Sequence, residues 1–132
     1  MVARKRSKPE KLLTEVELEL MNVIWTLGEC TVKDVQTALP KERDLAYTSV
    51  ATIMKILEQK GVLGSQKKER AHTYEPLLSR TDYEAMSLRH LTTHVFQSNP
   101  SSMVTKLLNE SELSKDELKA IRKLLDERLG SR

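Results

Sequence analysis

Residues 45–75 read LAYTSVATIMKILEQKGVLGSQKKERAHTYE, and this stretch predicts a helix followed directly by a basic hairpin. The apolar residues in its first half recur at the spacing of one helix face: Val50, Ile53, Met54 and Leu57. A helix over residues 47–60 is therefore expected to turn that face toward a core. Gly61 follows at the position where a glycine commonly ends a helix, so the chain is expected to change direction there.

The face opposite this apolar stripe consists of small or hydrogen-bonding residues: Thr48, Ala51, Thr52, Lys55 and Gln59. Apolar or β-forming residues at 62–63 and 73–74 then flank a polar, basic segment, a pattern typical of a β-hairpin with its tip in solvent. Winged helices bind duplex DNA with such a helix and such a hairpin. An amphipathic core helix followed by an ordinary surface hairpin has the same pattern, so periodicity leaves both interpretations open.

The composition narrows the class of protein. A length of 132 residues suggests one compact domain or a small domain with an added module, and 39% hydrophobic with only 4% aromatic residues favours a small helical bundle. No run of about 18 apolar residues exists, so no membrane-spanning helix is expected. The basic N-terminus is not followed by an apolar signal segment, which predicts a cytoplasmic protein.

The positive charge is local rather than spread over the chain. The net charge is +3, and the excess lies in two clusters. The first cluster is at the N-terminus: Arg4, Lys5, Arg6, Lys8 and Lys11. The second is in the hairpin: Lys67, Lys68 and Arg70. Both clusters are suited to contacting phosphates, although a charged N-terminal tail is also a common solvated end.

Two helices are predicted before the opening stretch. A capping box at Thr14 and Glu17 starts the first helix, and Gly28 ends it. The second helix is expected to turn these residues inward: Val32, Val35, Ala38 and Leu39. Three short helices and a hairpin predict a winged helix-turn-helix over residues 1–76, with residues 1–12 as a basic flexible arm and the third helix in the major groove.

Residues 77–132 predict three further helices that are apolar on one side only. Their stripes include Leu88, Leu91, Val95, Leu107, Leu118, Ile121 and Leu125. About 55 residues with such stripes make a poor independent domain, so a helical dimerisation domain is expected. The alternative is that these helices fold back on the N-terminal module of the same chain. The predicted class is thus mainly α with a small β-hairpin wing.

The sequence lacks the motifs of the common catalytic sites. No phosphate-binding glycine loop, nucleophile elbow or metalloprotease helix motif is found, so neither an enzyme nor a cofactor is expected. His90 and His94 have the spacing of two metal ligands on one helix face, but no third ligand is near in sequence, and no metal site is predicted. The single cysteine, Cys30, excludes an internal disulfide and is expected to be a buried or idle thiol.

From about Leu13 to Leu129 the chain resembles the penicillinase-repressor (BlaI/MecI/CopY) family of bacterial transcription repressors. The resemblance lies in LTEVELELMNVIWTLGECTVKDV, LAYTSVATIMKILEQKGVL and HTYEPLL, and NESELSKDELKAIRKLL is similar to the dimerisation end of the family. It implies a homodimer whose winged helices bind a palindromic TACA/TGTA-like operator and block transcription, with penicillinase-type genes among the targets. The alternative function is a winged helix that binds another protein and not DNA.

By position, the resemblance assigns Thr48, Ser49, Ala51 and Thr52 to the groove, with Lys55 on the same side. The predicted DNA-binding residues also include Tyr47 at the helix start and the basic cluster of the wing: Lys67, Lys68 and Arg70. Ala51 and Ile56 depart from relatives that carry arginine, which implies the loss of a guanine contact at Ala51 and a weaker phosphate contact or salt bridge at Ile56. The methyl groups of Ala51 and Thr52 remain suited to thymine.

Two further departures concern the release of repression. Some relatives are inactivated by proteolysis after the first dimerisation helix, which implies an upstream sensor and protease as partners. The matching position here is Asn99-Pro100, and a proline after the scissile bond makes a poor protease substrate. The chain ends in DERLGSR, so the resemblance does not extend to the cysteine-rich tail of copper-responsive members.

Overall fold

A computed structural model describes residues 12–130, which form six helices and one antiparallel hairpin. The elements are α1 (Glu15–Leu27), α2 (Val32–Ala38), α3 (Tyr47–Gln59), β1 (Leu63–Lys68), β2 (Ala71–Pro76), α4 (Arg80–His94), α5 (Pro100–Glu110) and α6 (Lys115–Gly130). The mainly α class with a small hairpin is confirmed. The predicted basic arm, residues 1–12, lies outside the described residues except for Leu12.

Reciprocal capping boxes begin three of the helices, and the one that begins α1 lies at Thr14 and Glu17, as the sequence predicts. In each, the N-cap hydroxyl accepts from a backbone N–H three residues on, and a carboxylate accepts from the N-cap N–H. The pairs are Thr14 with Glu17, Thr31 with Asp34, and Ser114 with Glu117. These local bonds satisfy amides that a helix start otherwise leaves unpaired, so they fix where α1, α2 and α6 begin.

The end of α3 sends the chain straight into the hairpin. Gly61 has a φ of +83°, a conformation that costs glycine little. Its N–H donates to the Glu58 carbonyl, and the Val62 N–H donates to the Leu57 carbonyl, each at 3.0 Å. This is the Schellman arrangement, and it lets β1 start at Leu63, two residues after the glycine.

A single core joins α1, α2, α3, the hairpin and the start of α4. Its fully buried side chains include Leu20, Met21, Ile24, Val35, Val50, Met54, Leu57 and Val62. Trp25 packs beside this core, and its Nε1–H donates to the Leu78 carbonyl at 2.8 Å. The prediction that Ala38 faces inward is wrong: Ala38 is exposed because α2 ends there, and Leu39 takes the buried position.

The described chain divides into two compact units, one that extends to Ser87 and one that begins at Leu88. α4 contributes residues to both, and α5 and α6 belong to the second. The predicted assignment of DNA binding to residues 1–76 and of dimerisation to residues 77–132 concerns function and stays a prediction.

The second unit has no buried residue between Leu88 and Gly130. Its exposed apolar side chains are Leu88, Leu91, Val95, Val104, Leu107, Leu108, Leu118, Leu124, Leu125 and Leu129. Among the described helices, none combines the length and the apolar character needed to cross a membrane.

Candidate nucleic-acid interface

The outer face of α3 is the first part of the candidate interface. Val50, Met54 and Leu57 are fully buried, so the rotation of α3 about its axis is set by the core. The opposite side consequently presents Thr48, Ser49, Thr52 and Lys55 to solvent. Ala51 is half-buried against the core and lies at the margin of this face. The helix therefore offers a surface of small polar side chains with one cation.

The first turn of α3 lacks a side-chain cap. Its N-cap residue, Ala46, makes no side-chain hydrogen bond, unlike the N-cap threonines of α1 and α2. The amides of Tyr47, Thr48 and Ser49 are therefore unsatisfied within the helix and lie at its positive end, where anions bind favourably. Tyr47 is also 50% exposed, so this end of α3 is open to a ligand such as a phosphate.

The hydroxyl of Thr52 has a defined orientation. Its Oγ1 donates to the Thr48 carbonyl at 2.9 Å, one helical turn back. With the hydroxyl proton engaged in this bond, the oxygen lone pairs and the γ-methyl group remain for an external partner. Thr52 is therefore suited to accepting a hydrogen bond from a base amino group or to contacting an apolar base edge.

The wing is the second part of the candidate interface. β1 and β2 pair in antiparallel register from Leu63↔Pro76 to Lys68↔Ala71, and Glu69 in the two-residue turn has a φ of +51°. Lys67, Lys68 and Arg70 are exposed, as the sequence predicts. The His72 ring stacks on Tyr74 with centroids 5.0 Å apart and planes 7° apart.

One carboxylate outside the hairpin contacts both of its strands. Glu29, in the turn between α1 and α2, accepts from Lys68 Nζ at 2.7 Å and from Thr73 Oγ1 at 3.0 Å. These hydrogen bonds, from Lys68 first and then Thr73, together with the charge of Lys68, lower the pKa of the Glu29 carboxyl. The next residue, Cys30, exchanges both backbone hydrogen bonds with Tyr74, at 2.9 and 2.7 Å. The base of the wing is thus attached to the α1–α2 turn.

The C-terminal end of α3 is attached to α1 by an ion pair. Lys60 Nζ donates to both carboxylate oxygens of Glu17 at 2.8 Å, and Glu17 also serves in the capping box of α1. Burial by itself would raise the pKa of Glu17. The hydrogen bonds from Lys60 and Thr14 and the charge of Lys60 outweigh burial and lower that pKa. Ser65 on β1 similarly donates to Glu58 on α3.

All nine residues predicted to bind DNA lie on α3 or the hairpin, within the first compact unit. Sequence reasoning did not single out Glu29, Glu58 or Glu17 as residues that hold these elements together. Only Glu17 had a local signal, its capping box, because the other contacts join residues far apart in sequence.

Other chemistry is sparse in the described chain. Across residues 12–130, no three His, Cys, Asp or Glu side chains are grouped so as to hold a metal ion. His90 and His94 lie with ring centroids 4.4 Å apart on exposed α4. Cys30 is buried, and burial, followed by the charges of Asp34 and Glu29, raises the pKa of its thiol to about 11. The thiol is therefore protonated near neutral pH.

The sequence profile of the penicillinase repressor family matches residues 13–127. The chain belongs to the penicillinase repressor family. Members of this family are DNA-binding transcriptional repressors, and so is this one. The repressor is 26% identical over 115 residues to the penicillinase repressor of Bacillus licheniformis, a match that covers 87% of this chain and 90% of the relative.

Two further comparisons cover just over half of this repressor. It is 36% identical over 74 residues to the transcriptional regulator BlaI of Mycobacterium tuberculosis, which covers 55% of this chain and 54% of that protein. Among solved structures, the DNA-binding domain of the repressor BlaI matches with a TM-score of 0.50 and 29% identity, over 58% of this chain and 93% of that domain. The winged-helix architecture of the first unit is thereby confirmed.

Proposed function

We propose that this repressor binds a palindromic TACA/TGTA-like operator as a homodimer, with α3 of each copy in the major groove. The observation that carries the proposal is the orientation of α3. Its apolar face is locked in the core, so its small polar face and its uncapped N-terminus point outward. The basic hairpin follows α3 directly and supplies cations for the adjacent backbone.

The proposed roles follow from the chemistry of each side chain. Thr48, Ser49 and Thr52 contact bases and nearby phosphates, while Ala51 contributes only its methyl group from the margin of the face. The cations proposed to face the phosphates are Lys55, Lys67, Lys68 and Arg70, with Tyr47 beside the helix N-terminus. Lys68 can contact a phosphate only if it gives up its ion pair with Glu29. Ile56 is 37% exposed where many relatives have arginine, so this position adds no charge.

The exposed apolar stripes of the second unit support the homodimer. Large apolar side chains lie exposed along α4, α5 and α6, and neither α5 nor α6 has a buried residue. A second copy would cover these stripes. The two α3 helices would then be related by a two-fold axis, which matches the symmetry of a palindromic operator. The proposed interface residues are Leu88, Leu91, Val95, Leu107, Leu118, Ile121 and Leu125.

DNA is the partner that this repressor must reach, so we propose a cytoplasmic location. We also propose that an upstream sensor pathway relieves repression by a route other than cleavage at Asn99-Pro100. Pro100 is the first residue of α5, and the Asn99 side chain caps that helix by accepting from the Ser102 N–H at 3.2 Å. A bond that precedes proline and sits in a formed cap is poorly accessible to a protease.

Fluorescence anisotropy tests the DNA proposal. The repressor is titrated into labelled duplex from upstream of its own gene and, separately, into a shuffled duplex. Both titrations are repeated over a series of salt concentrations. We expect a preference of at least about 10³-fold for the native duplex. Thr52→Glu should abolish this binding because it places a carboxylate against the bases.

Thr26→Glu is the matched control, since Thr26 is an exposed helical threonine that donates to Asn22 one turn back, as Thr52 does to Thr48. Normal binding by the Thr52 variant would remove α3 from the groove. If the wild type binds neither duplex even at low salt, the protein-interaction alternative is favoured.

Analytical ultracentrifugation tests the homodimer. Ile121→Asp places a charge in the proposed interface and should give monomers with weaker operator binding. Lys123→Asp introduces an acidic side chain at an exposed position of α6 on the side opposite Leu118, Ile121 and Leu125, and this variant should stay dimeric. A dimeric Ile121 variant would show that the interface is assigned wrongly.

A further inference from the structure

Lys68, a cation of the wing, forms an ion pair with a carboxylate of the same chain. Its Nζ lies 2.7 Å from Glu29 Oε2. The same oxygen accepts from Thr73 Oγ1 at 3.0 Å, on the neighbouring strand. Glu29 is held close to the wing by the backbone bridge between Cys30 and Tyr74. The carboxylate is therefore a fixed neighbour of Lys68 rather than a chance contact of two mobile side chains.

This ion pair has the chemistry of a phosphate contact. A carboxylate and a DNA phosphate both offer anionic oxygens to a lysine ammonium, and both form charge-assisted hydrogen bonds of this length. The side chains of Lys68 and Glu29 are 52% and 41% exposed, so solvent and any backbone that approaches the wing reach the pair. Glu29 and a phosphate can therefore compete for the same ammonium group.

We propose that Glu29 limits the affinity of the wing for DNA, because it occupies Lys68 and withholds that cation from the phosphate backbone. The inference rests on the proposed binding of duplex DNA by this face. It divides the three cations of the hairpin into two groups. Lys67 and Arg70 contact the backbone in every complex, whereas Lys68 is neutralised within the protein. Sequence-independent binding is consequently weaker than the number of wing cations implies.

Glu29→Gln tests this inference, since glutamine keeps the shape and an oxygen acceptor for Thr73 but removes the charge. We expect the variant to bind a shuffled duplex roughly 2- to 5-fold more tightly at about 0.1 M salt. The slope of log Kd against log salt should steepen by about 0.9 for each protomer, the value for one added phosphate contact. In a Lys68→Gln background, Glu29→Gln should have no effect, because the cation that it releases is absent.

Two variants separate this mechanism from its alternatives. Glu69→Gln removes the same charge from the tip of the same hairpin, and its effect should persist in the Lys68→Gln background. Thr73→Val removes the other contact of Glu29 without changing the charge, and it should leave the salt slope unchanged. Urea unfolding followed by Trp25 fluorescence confirms that each variant is folded.

The possible results distinguish failure of this inference from failure of the DNA-binding proposal on which it rests. An unchanged slope for Glu29→Gln, or an effect that survives in the Lys68→Gln background, would overturn the inference. If Glu29→Gln and Thr73→Val both weaken binding, then Glu29 orients the wing and does not limit its affinity. A wild-type protein that binds no duplex at any salt concentration would remove the DNA proposal itself, an outcome distinct from normal binding with an unaltered slope.

Discussion

Replacement of Lys60 by methionine should destabilise the winged-helix unit. Lys60 Nζ donates at 2.8 Å to both oxygens of Glu17, whose exposed fraction is only 7%. Methionine preserves most of the apolar stem of the lysine but removes its charge and its hydrogen bonds. Glu17 would then be a buried carboxylate without a cation. The contact that joins the end of α3 to the start of α1 would also be lost.

The expected loss follows from the burial of the two partners. Breaking a fully buried ion pair from one side costs about 3–5 kcal/mol. The Lys60 side chain is 37% exposed and Thr14 still donates to Glu17, so we expect a smaller decrease in the free energy of unfolding, about 1.5–3 kcal/mol. For a unit of this size the midpoint of thermal unfolding should fall on the order of 10 °C.

The destabilisation caused by Lys60→Met should become smaller as the pH falls. The pKa of Glu17 is lowered in the folded state from its usual value of 4.5. The stabilisation from the ionised carboxylate is therefore fully present above that value, and it is lost as the pH falls through the lowered folded pKa. Once Glu17 is protonated, Lys60→Met leaves no buried charge behind. The difference between variant and wild type should consequently shrink in acid.

Urea denaturation followed by Trp25 fluorescence measures this difference, because Trp25 is the single tryptophan and packs beside the core. Lys33→Met, at an exposed position on α2, is the control for loss of a lysine charge. Equal stability of the Lys60 variant and the wild type at pH 7 would refute the reasoning. So would an equal loss in the Lys33 variant, or a difference that does not diminish in acid.

Three further predictions concern the first unit. The buried Leu13 N–H donates to Tyr83 Oη at 3.0 Å, and Tyr83→Phe removes this acceptor. The free energy of unfolding in urea should therefore fall by about 1–3 kcal/mol, and an unchanged midpoint would argue against this role of Tyr83. Glu69→Gly relieves a left-handed backbone and should stabilise the protein by up to about 1 kcal/mol, whereas Glu69→Ala should give no such gain. Burial raises the pKa of the Cys30 thiol to about 11, so iodoacetamide at pH 8 should modify Cys30 slowly in the folded protein and faster once urea unfolds the chain. Equal rates of modification in the native and the unfolded protein would contradict this prediction.

Those parts of the fold that depend on neighbours in sequence were predictable. The threonine caps and the glycine after α3 act over a few residues, and the stripe through Val50, Met54 and Leu57 repeats with the helix period. The error at Ala38 has the same origin. Periodicity gave it an inward position, but the helix ends at that residue, and helix ends are where a periodic pattern stops being informative.

The contacts that orient the candidate site were not predictable from the sequence. Thr73 and Glu29 are 44 residues apart, and Lys60 and Glu17 are 43 apart. With 22 cations and 19 anions in the chain, charge complementarity alone permits a very large number of pairings. Only the packing of α1, α3 and the hairpin selects these few. The basic character of the wing was therefore evident from its residues, but the neutralisation of Lys68 within it was not.

The absence of buried residues from Leu88 to Gly130 has a consequence for the stability of this repressor at low concentration in a cell. With a second copy as the proposed cover, these helices obtain their core only by association, so folding and assembly of this region become one bimolecular event. Its midpoint of unfolding should rise with protein concentration, whereas that of the first unit should not. Dilution would then do more than separate two copies. It would leave α5, α6 and the C-terminal part of α4 without a core and open to proteolysis, so a falling repressor level would accelerate the degradation of the repressor.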